Sequence, residues 1–434
     1  MKNKKVLISL SADNIHHGHI KLINEAKKYG DVVIGLLSDE AIAKHKKLPM
    51  LNYDQRKTVI QNISGVSEII TQNEWDDSVL IEKFKPEYVI HGDDWLSGPQ
   101  VALRDNVLKA LNKYNGKLIE IPYTKGISSE AISNHADITV ISPENRLKNL
   151  KRSISIKPIS RFIEAHSPIS ALIAEKAKQE INGKINYFDG FWSSSLTDSS
   201  LMGKPDIEVL DISQRLDNIN KIFEVTTKPL IMDIDTGGKI DHLKINVRSM
   251  ERLGISAIIM EDKTGLKKNS LHEDTSNQKQ EDIEIFSEKI RSAKLSQSNP
   301  DFMVIARIES FILKKGIEDA LKRANSYVSS GADAIMIHSK SKTPDEIFAF
   351  AKKFRSKYSD IPLVCVPSSY SSVRESELVE NGFNVVIYAN QLFRAAYPAM
   401  VKTANSILIN ERAEEIEKEL TSIKEMMDLI PGTK

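Results

Sequence analysis

Gly254-Ile255-Ser256-Ala257-Ile258-Ile259-Met260-Glu261-Asp262 is an apolar run that opens on a glycine and closes on two carboxylates. Glycine suits the end of a helix because it accepts the left-handed conformation there, so the stretch reads as helix stop, buried strand and chemical residue at the strand's carboxyl end. The same grammar returns twice: Gly331 precedes His338 by seven residues, as Gly254 precedes Glu261, and Gly382 precedes Asn390 by eight. Further apolar runs ending in polar residues occupy 187–192, 230–235, 303–309 and 363–367, and the run 162–165 completes a set of eight. Helical patterns such as 316–328 and 343–357 separate them. Eight strand–helix units with polar groups at the strand carboxyl ends describe a (β/α)8 barrel with a site on that face. A long open α/β sheet is the competing topology. The near-regular spacing and the length of this region favour the barrel.

The region upstream reads differently. Strand-like runs at 5–9, 31–37, 88–91 and 118–122 alternate with helical patterns, which indicates a doubly wound parallel sheet. The basic, polar stretch 144–157 reads as a short helix or an exposed linker. The expected organisation of the 434 residues is therefore a nucleotide-binding-type domain over 1–140, a linker over 141–157 and the barrel with C-terminal helices over 158–434. Sixty Lys and Arg against 59 Asp and Glu leave a net charge of +1, which advertises neither nucleic acid nor an anionic membrane as partner. Cys365 is the single cysteine, so a disulfide framework or a Cys-based zinc site within one chain is excluded. The apolar run 6–10 is too short for a signal sequence, and no apolar stretch is long enough to span a membrane, so a cytoplasmic protein is expected.

Chemistry gathers at the expected strand ends. Asp233 and Asp235, two apart on one strand, point to the same side, and Glu261-Asp262 ends the next run. Such carboxylates suit an oxygen-ligated Mg2+ that keeps several waters, although carboxylates also cap the helices that follow strands. Arg307 and His338 end later strands and would face the same mouth, where a dication, a guanidinium and an imidazole select a phosphorylated or carboxylated substrate. Lys267-Lys268-Asn269-Ser270 extends the loop after Glu261, and the polar stretch 272–282 is the candidate lid.

Glu261-Asp262-Lys263 followed by Lys267-x-Asn269-Ser270 resembles the E-D-K-x-x-x-K-x-N-S gate motif of the phosphoenolpyruvate mutase family, within the isocitrate lyase superfamily. Trp192-Ser193-Ser194-Ser195-Leu196, Asp206, Asp233-x-Asp235, Ala306-Arg307 and His338-Ser339-Lys340 stand in the family's order, over about residues 158–400. Most other lyases of the superfamily carry a Lys-Lys-Cys-Gly-His-type loop, which is missing here. The resemblance implies interconversion of phosphoenolpyruvate and phosphonopyruvate, with Mg2+ held by Asp233 directly and by Asp206, Asp235 and Glu261 largely through water. It implies that the metal and the Ser194–Leu196 amides anchor the pyruvyl part, that Arg307 and His338 stabilise the phosphoryl group, and that Lys267, Asn269 and Ser270 close over it. Trp192 reads equally as substrate contact or barrel packing. One departure is Ser195, where the family usually has glycine; a backbone needing positive φ there would be strained.

Between the first strand and helix lies His16-His17-Gly18-His19. Two imidazoles on the first turn of a helix can donate to charge growing on a phosphoryl group, while the bland alternative is a solvent-facing polar loop. With His91-Gly92-Asp93-Asp94-Trp95 and Gly126-Ile127-Ser128-Ser129, the motif resembles the cytidylyltransferase family of the H-x-G-H nucleotidyltransferase superfamily, over about residues 5–135. The resemblance implies that His16 and His19 act at the α-phosphate of CTP and that Lys44 or Lys46 neutralises phosphate charge. It further implies that Arg56 assists and that Asp94, Ser128 and Ser129 help bind the nucleotide. Tyr123-Thr124 stands where the family usually has Arg-Thr, and Glu130 replaces its second Thr. The expected whole is a bifunctional phosphonate-biosynthesis enzyme that uses CTP and a phosphonate as well as phosphonopyruvate. The alternatives are a phosphonopyruvate hydrolase or C–C lyase barrel, and a non-catalytic nucleotide-binding N-terminal module. A homo-oligomer is implied by the barrel family's habit of exchanging a C-terminal helix.

Overall fold

The computed structural model describes residues 4–96, 100–122, 141–265, 267–272 and 277–430. Contacts divide them into two units, one holding the described residues of 1–138 with 178–187, the other those of 139–177 and 188–434.

The first unit is a five-stranded parallel sheet ordered β3-β2-β1-β4-β5, from β1 (Lys5–Leu10), β2 (Asp31–Leu37), β3 (Val66–Gln72), β4 (Tyr88–Gly92) and β5 (Lys117–Ile121). Along β1 and β2 the side chains alternate between two cores: Val6, Ile8, Val32 and Ile34 pack under one face, Leu7 and Val33 under the other. Runs of consecutive apolar residues are what a sheet covered on both faces requires. Because β1 pairs with β2 on one side and β4 on the other, the strand order reverses between β1 and β4, the usual crevice for a ligand. His16–His19 follow β1, and the 3-10 turn Asp93–Trp95 follows β4, so both motifs lie at that crevice. A hairpin of β7 (Lys178–Ile181) and β8 (Lys184–Tyr187) turns through Asn182 and Gly183 at φ 52° and 74°, the left-handed pair a two-residue hairpin loop demands.

The second unit is a closed barrel of eight parallel strands: β6 (Ser160–Glu164), β9 (Gly190–Ser193), β10 (Leu230–Asp233), β11 (Ala257–Glu261), β14 (Met303–Ile308), β15 (Ala334–Ile337), β16 (Leu363–Cys365) and β17 (Val385–Tyr388), which returns to β6. Alternation decides which residues fill it. Ile231, Ala257, Ile259, Met303, Ile305, Ala334 and Met336 belong to the enclosed cluster, while Met232, Ile258, Met260 and Val304 pack outward against helices. Continuing the inward register by one step places Asp233, Glu261, Arg307 and His338 as the last inward residues of four successive strands. Chemistry therefore forms the top layer of an otherwise apolar interior.

Residues 143–156 form a helix that starts on the Ser142 cap with Pro143 in its first turn. Its Leu150 and Ile154 join the cluster inside the barrel, and Arg146 donates to the carbonyls of Thr226 and Lys228 just before β10. This stretch thus contributes core at the amino ends of the strands. Among the described residues no helix is long and apolar enough to cross a membrane.

Candidate active site

Asp233, Arg307 and His338 open onto one cavity at the carboxyl ends of the strands, lined also by Trp192, Ser194–Leu196, Lys267 and Asn269–Leu271. Glu261 lies beside it, cross-strand from Arg307, with its Oε2 3.1 Å from Arg307 Nη2. Ser195 is the first residue of the helix Ser195–Leu201 and is absent from the positive-φ residues, so replacing glycine there causes no backbone strain. Its hydroxyl instead becomes a bridge, donating to Asp233 Oδ2 and accepting from Lys267 Nζ, each at 2.9 Å. Asp235 does sit at φ 55°, a left-handed position that aspartate tolerates better than most residues.

The gate segment reaches into this mouth. Lys267 Nζ donates to Asp206 Oδ1 at 2.6 Å and to Asp235 Oδ1, and Asn269 Nδ2 donates to Asp206 Oδ2 at 2.8 Å. Ser270 Oγ accepts from Arg307 Nη2 and Lys263 Nζ, both at 2.8 Å. The segment is pinned at its base by β12 (Lys263–Thr264) pairing with β13 (Lys279–Gln280), so the second half of the expected lid 272–282 is tied down; residues 273–276 lie outside the described residues.

Burial opposes charge on Lys267, yet Asp235, Glu261, Asp233 and Asp206 together hold its ammonium more strongly protonated than a free lysine. Burial likewise works against Asp233, but Lys267, Arg307 and Arg215 keep it ionised below the usual carboxylate range. Burial pushes Glu261 up to about 7 despite Arg307 and Lys263. Burial and then Arg307 lower His338, leaving it neutral. Asp198, Asp206, Asp233, Asp235, Glu261 and Glu309 face Arg215, Lys263, Lys267 and Arg307, six carboxylates against four cations. Burial raises Glu261 to about 7 and, with Asp233, lifts Asp235 above its usual range, so the full excess of two negative charges would form only as a dication drew both groups into their ionised form. Neither Glu261 oxygen has a hydrogen bond, and every donor atom of the carboxylate set is a hard oxygen, so the residues fit Mg2+ chemically. Among the described residues no three of these groups are gathered around one point, and the ammonium of Lys267 stands among them.

Several members of this site escaped the sequence reading. Glu309, two residues after Arg307 and so on the same side of the chain, accepts from Arg307 Nε at 2.6 Å. Arg215, on the helix Ile212–Phe223, holds Asp198 at 2.9 Å, and nothing in its surroundings in sequence marks it. Asn390, which the Gly382 spacing already marks as a strand-closing residue but to which the sequence assigns no role, lines the cavity with an Oδ1 that has no hydrogen bond. Trp192 both packs inside the barrel and lines the cavity.

In the first unit, His16 caps the helix His17–Ala26: its Nδ1 accepts from Gly18 N at 3.1 Å, and His19 Nδ1 accepts from His16 N at 3.3 Å. Both rings are thereby held with Nδ1 as acceptor, leaving Nε2–H as the outward donor. Burial, then His16 and Lys46, lower His19 to about 4, so it stays neutral. Lys46 donates to Ser11 Oγ at 3.3 Å near these histidines, whereas Lys44 reaches toward Glu74 at 3.8 Å. Arg56 is fully buried, its guanidinium spent on the carbonyls of Leu51, Ser11 and Leu37 and on Asp39, which makes it a staple of the fold here. Asp94 falls in the turn Asp93–Trp95 with its side chain outside the described set, and Ser128 and Ser129 lie outside the described residues.

The protein-family model for phosphoenolpyruvate phosphomutase matches residues 147–408, and the cytidylyltransferase-like model matches residues 11–135. The chain is 35% identical over 289 residues to a phosphoenolpyruvate phosphomutase of Tetrahymena pyriformis, covering 66% of this chain and 92% of the relative. It is 38% identical over 267 residues to a phosphonopyruvate hydrolase of a Variovorax strain, covering 61% and 88%. Among solved structures, a phosphonopyruvate hydrolase in complex with oxalate and Mg2+ aligns with a TM-score of 0.59 at 34% identity, over 67% of this chain and 95% of that one. The chain belongs to the phosphoenolpyruvate phosphomutase family and carries an N-terminal cytidylyltransferase-like domain.

Proposed function

We propose that the barrel interconverts phosphoenolpyruvate and phosphonopyruvate, and that the N-terminal domain transfers a cytidylyl group from CTP to a phosphonate with release of pyrophosphate. The observation carrying the first half is the docking of the gate: Lys267, Asn269 and Ser270 reach over the cavity, and Ser270 bonds directly to Arg307.

The reaction breaks the C–P bond of phosphonopyruvate and forms the P–O bond of phosphoenolpyruvate, with no atom gained or lost. A metaphosphate-like species must pass between carbon and oxygen without meeting water. The Ser194–Leu196 amides anchor the pyruvyl group. Arg307, its Nε and Nη2 held by Glu309, Ser270 and His338, offers its Nη1 donors, and His338 offers Nε2–H, to the phosphoryl oxygens in transit. Asn269 and Ser270 close the remaining side. Asp233, with Asp206, Asp235 and Glu261, would hold Mg2+, which when bound would supply the positive charge that the enolate of pyruvate needs. Lys267 must share the carboxylates with that ion.

The 38% identity to a phosphonopyruvate hydrolase favours a second reading, in which water takes the phosphoryl group. Incubation with phosphonopyruvate and Mg2+, followed by separate enzymatic assays of phosphoenolpyruvate and pyruvate, decides between them: accumulation of phosphoenolpyruvate supports the mutase, pyruvate with stoichiometric phosphate the hydrolase.

For the N-terminal domain, the support is the pair of Nε2–H donors at the β1/β4 crevice. Pyrophosphate release from CTP in the presence of 2-aminoethylphosphonate or related phosphonates tests it; no release with any of them favours a non-catalytic nucleotide-binding module. A homo-oligomer is supported by the helix Gln391–Asn410, which has no buried residue and exposes Tyr397, Met400, Leu408 and Ile409.

A further inference from the structure

We infer that Glu309 is a positioning residue that locks the closed gate to the two groups receiving the phosphoryl group; the inference rests on the reading of the barrel as a phosphoryl-moving enzyme. Glu309 follows β14 and is fully buried. Its Oε1 accepts from Arg307 Nε at 2.6 Å and stands 2.9 Å from His338 Nδ1. Its Oε2 accepts from Ser270 Oγ at 2.5 Å, with Lys263 Nζ 3.7 Å away.

The hydrogen-bond count makes this a specific lock. A serine hydroxyl has one proton and two lone pairs. Ser270 gives its proton to Glu309 and fills both lone pairs, one from Arg307 Nη2 and one from Lys263 Nζ. All three positions of the hydroxyl are therefore used only when the gate is docked. The same carboxylate fixes the plane of Arg307 through Nε. His338 Nδ1 lies between Glu309 Oε1 at 2.9 Å and Arg307 Nη2 at 3.0 Å; when it accepts from that oriented guanidinium, the neutral ring carries its proton on Nε2, the donor left for a ligand. One buried carboxylate thus ties the gate hydroxyl and a guanidinium directly, and through that guanidinium an imidazole, into one arrangement. Burial opposes its charge, but the Arg307 guanidinium holds its carboxyl well below the usual range, so it serves as a permanent acceptor.

Glutamine in its place keeps the shape but turns one acceptor into a donor. That donor would face either Arg307 Nε or a Ser270 hydroxyl already saturated with donors. The consequence is a loosened gate and a misaimed Arg307, with water admitted to the phosphoryl group.

The test is a double-mutant cycle of Glu309→Gln and Ser270→Ala in the full chain with Mg2+ and phosphonopyruvate, read on whichever product the wild-type enzyme makes. Each single variant should lower kcat about 10- to 100-fold with KM moved far less, and the double variant should lose little beyond the worse single one. If the wild type makes phosphoenolpyruvate, Glu309→Gln should also raise the fraction of turnovers ending in pyruvate and phosphate. If the wild type makes only pyruvate and phosphate, the mutase reading fails while the coupling is still measured. Additive losses, or a Glu309→Gln defect confined to KM, overturn the inference. Should Glu309→Gln not fold, Glu309→Asp in the same cycle serves: it keeps the acceptor but shortens the reach, and additivity with Ser270→Ala would equally refute the lock.

Discussion

Ser195 Oγ donates a 2.9 Å hydrogen bond to Asp233 Oδ2 and accepts one of equal length from Lys267, so a single hydroxyl joins the gate to the inward carboxylate of β10. Ser195→Ala removes this link without disturbing the helix start, because Ser194 supplies the cap to Thr197. A hydrogen bond to a charged group is worth enough that turnover of phosphonopyruvate should fall about tenfold. Steady-state kinetics beside a thermal unfolding curve would check it: an unchanged kcat would mean the bridge is incidental.

Asp233→Ala should abolish barrel turnover, and chelation of divalent metal from the wild type should do the same. The fold should suffer too. Lys267, Arg307 and Arg215 hold Asp233 ionised below the usual carboxylate range, so its loss leaves buried cations short of a partner, and thermal stability of the metal-free protein should fall. Calorimetry of both metal-free proteins measures this; an unchanged or raised midpoint would show that repulsion from the neighbouring carboxylates outweighs those ion pairs.

In the first unit the two candidate lysines should separate. Lys46 stands by the histidine motif and Lys44 faces Glu74, so Lys46→Ala should reduce CTP turnover by about 10- to 100-fold while Lys44→Ala stays near wild type. His16→Ala should eliminate CTP turnover and leave phosphonopyruvate chemistry intact. Pyrophosphate release and phosphonopyruvate consumption, measured on the same preparations, test both statements.

An unfolded histidine takes up its proton near pH 6.5, whereas burial, His16 and Lys46 keep folded His19 neutral down to about 4. Between those values the unfolded chain binds the extra proton, so this group costs the first unit stability as pH falls through the window and costs nothing above it. In a Trp192→Phe background the remaining indoles, Trp75 and Trp95, both report on that unit. Urea unfolding at several pH values should give a shallower loss on acidification for His19→Gln than for His19.

Much of the barrel was legible because alternation and the glycine spacing are local. The parity that puts Ile231 and Ile259 inside the barrel also puts Asp233 and Glu261 there, and Arg307 and His338 follow the same rule. The first unit was legible for a similar reason, since the motifs after β1 and β4 meet wherever strand order reverses. What escaped depends on loops and helices whose course is tertiary. Nothing in the spacing of Lys267 announces that its ammonium lies among Asp206 and Asp235. Arg215 reaches the site from a helix. Arg56, expected near phosphate, is consumed by carbonyls contributed from three separate loops and strand ends. The stretch 144–157 looks polar in sequence, yet Leu150 and Ile154 recur at helical spacing and find the barrel interior.

In the proposed mutase reaction a phosphoryl group crosses from carbon to oxygen inside a closed mouth that water does not enter. Phosphorus NMR of phosphonopyruvate turned over by the protein with Mg2+ in 18O-enriched water measures this directly. A phosphoenolpyruvate resonance with no 18O isotope shift and no accumulating phosphate is expected; inorganic phosphate carrying one 18O from the solvent, with no phosphoenolpyruvate, would refute the transfer.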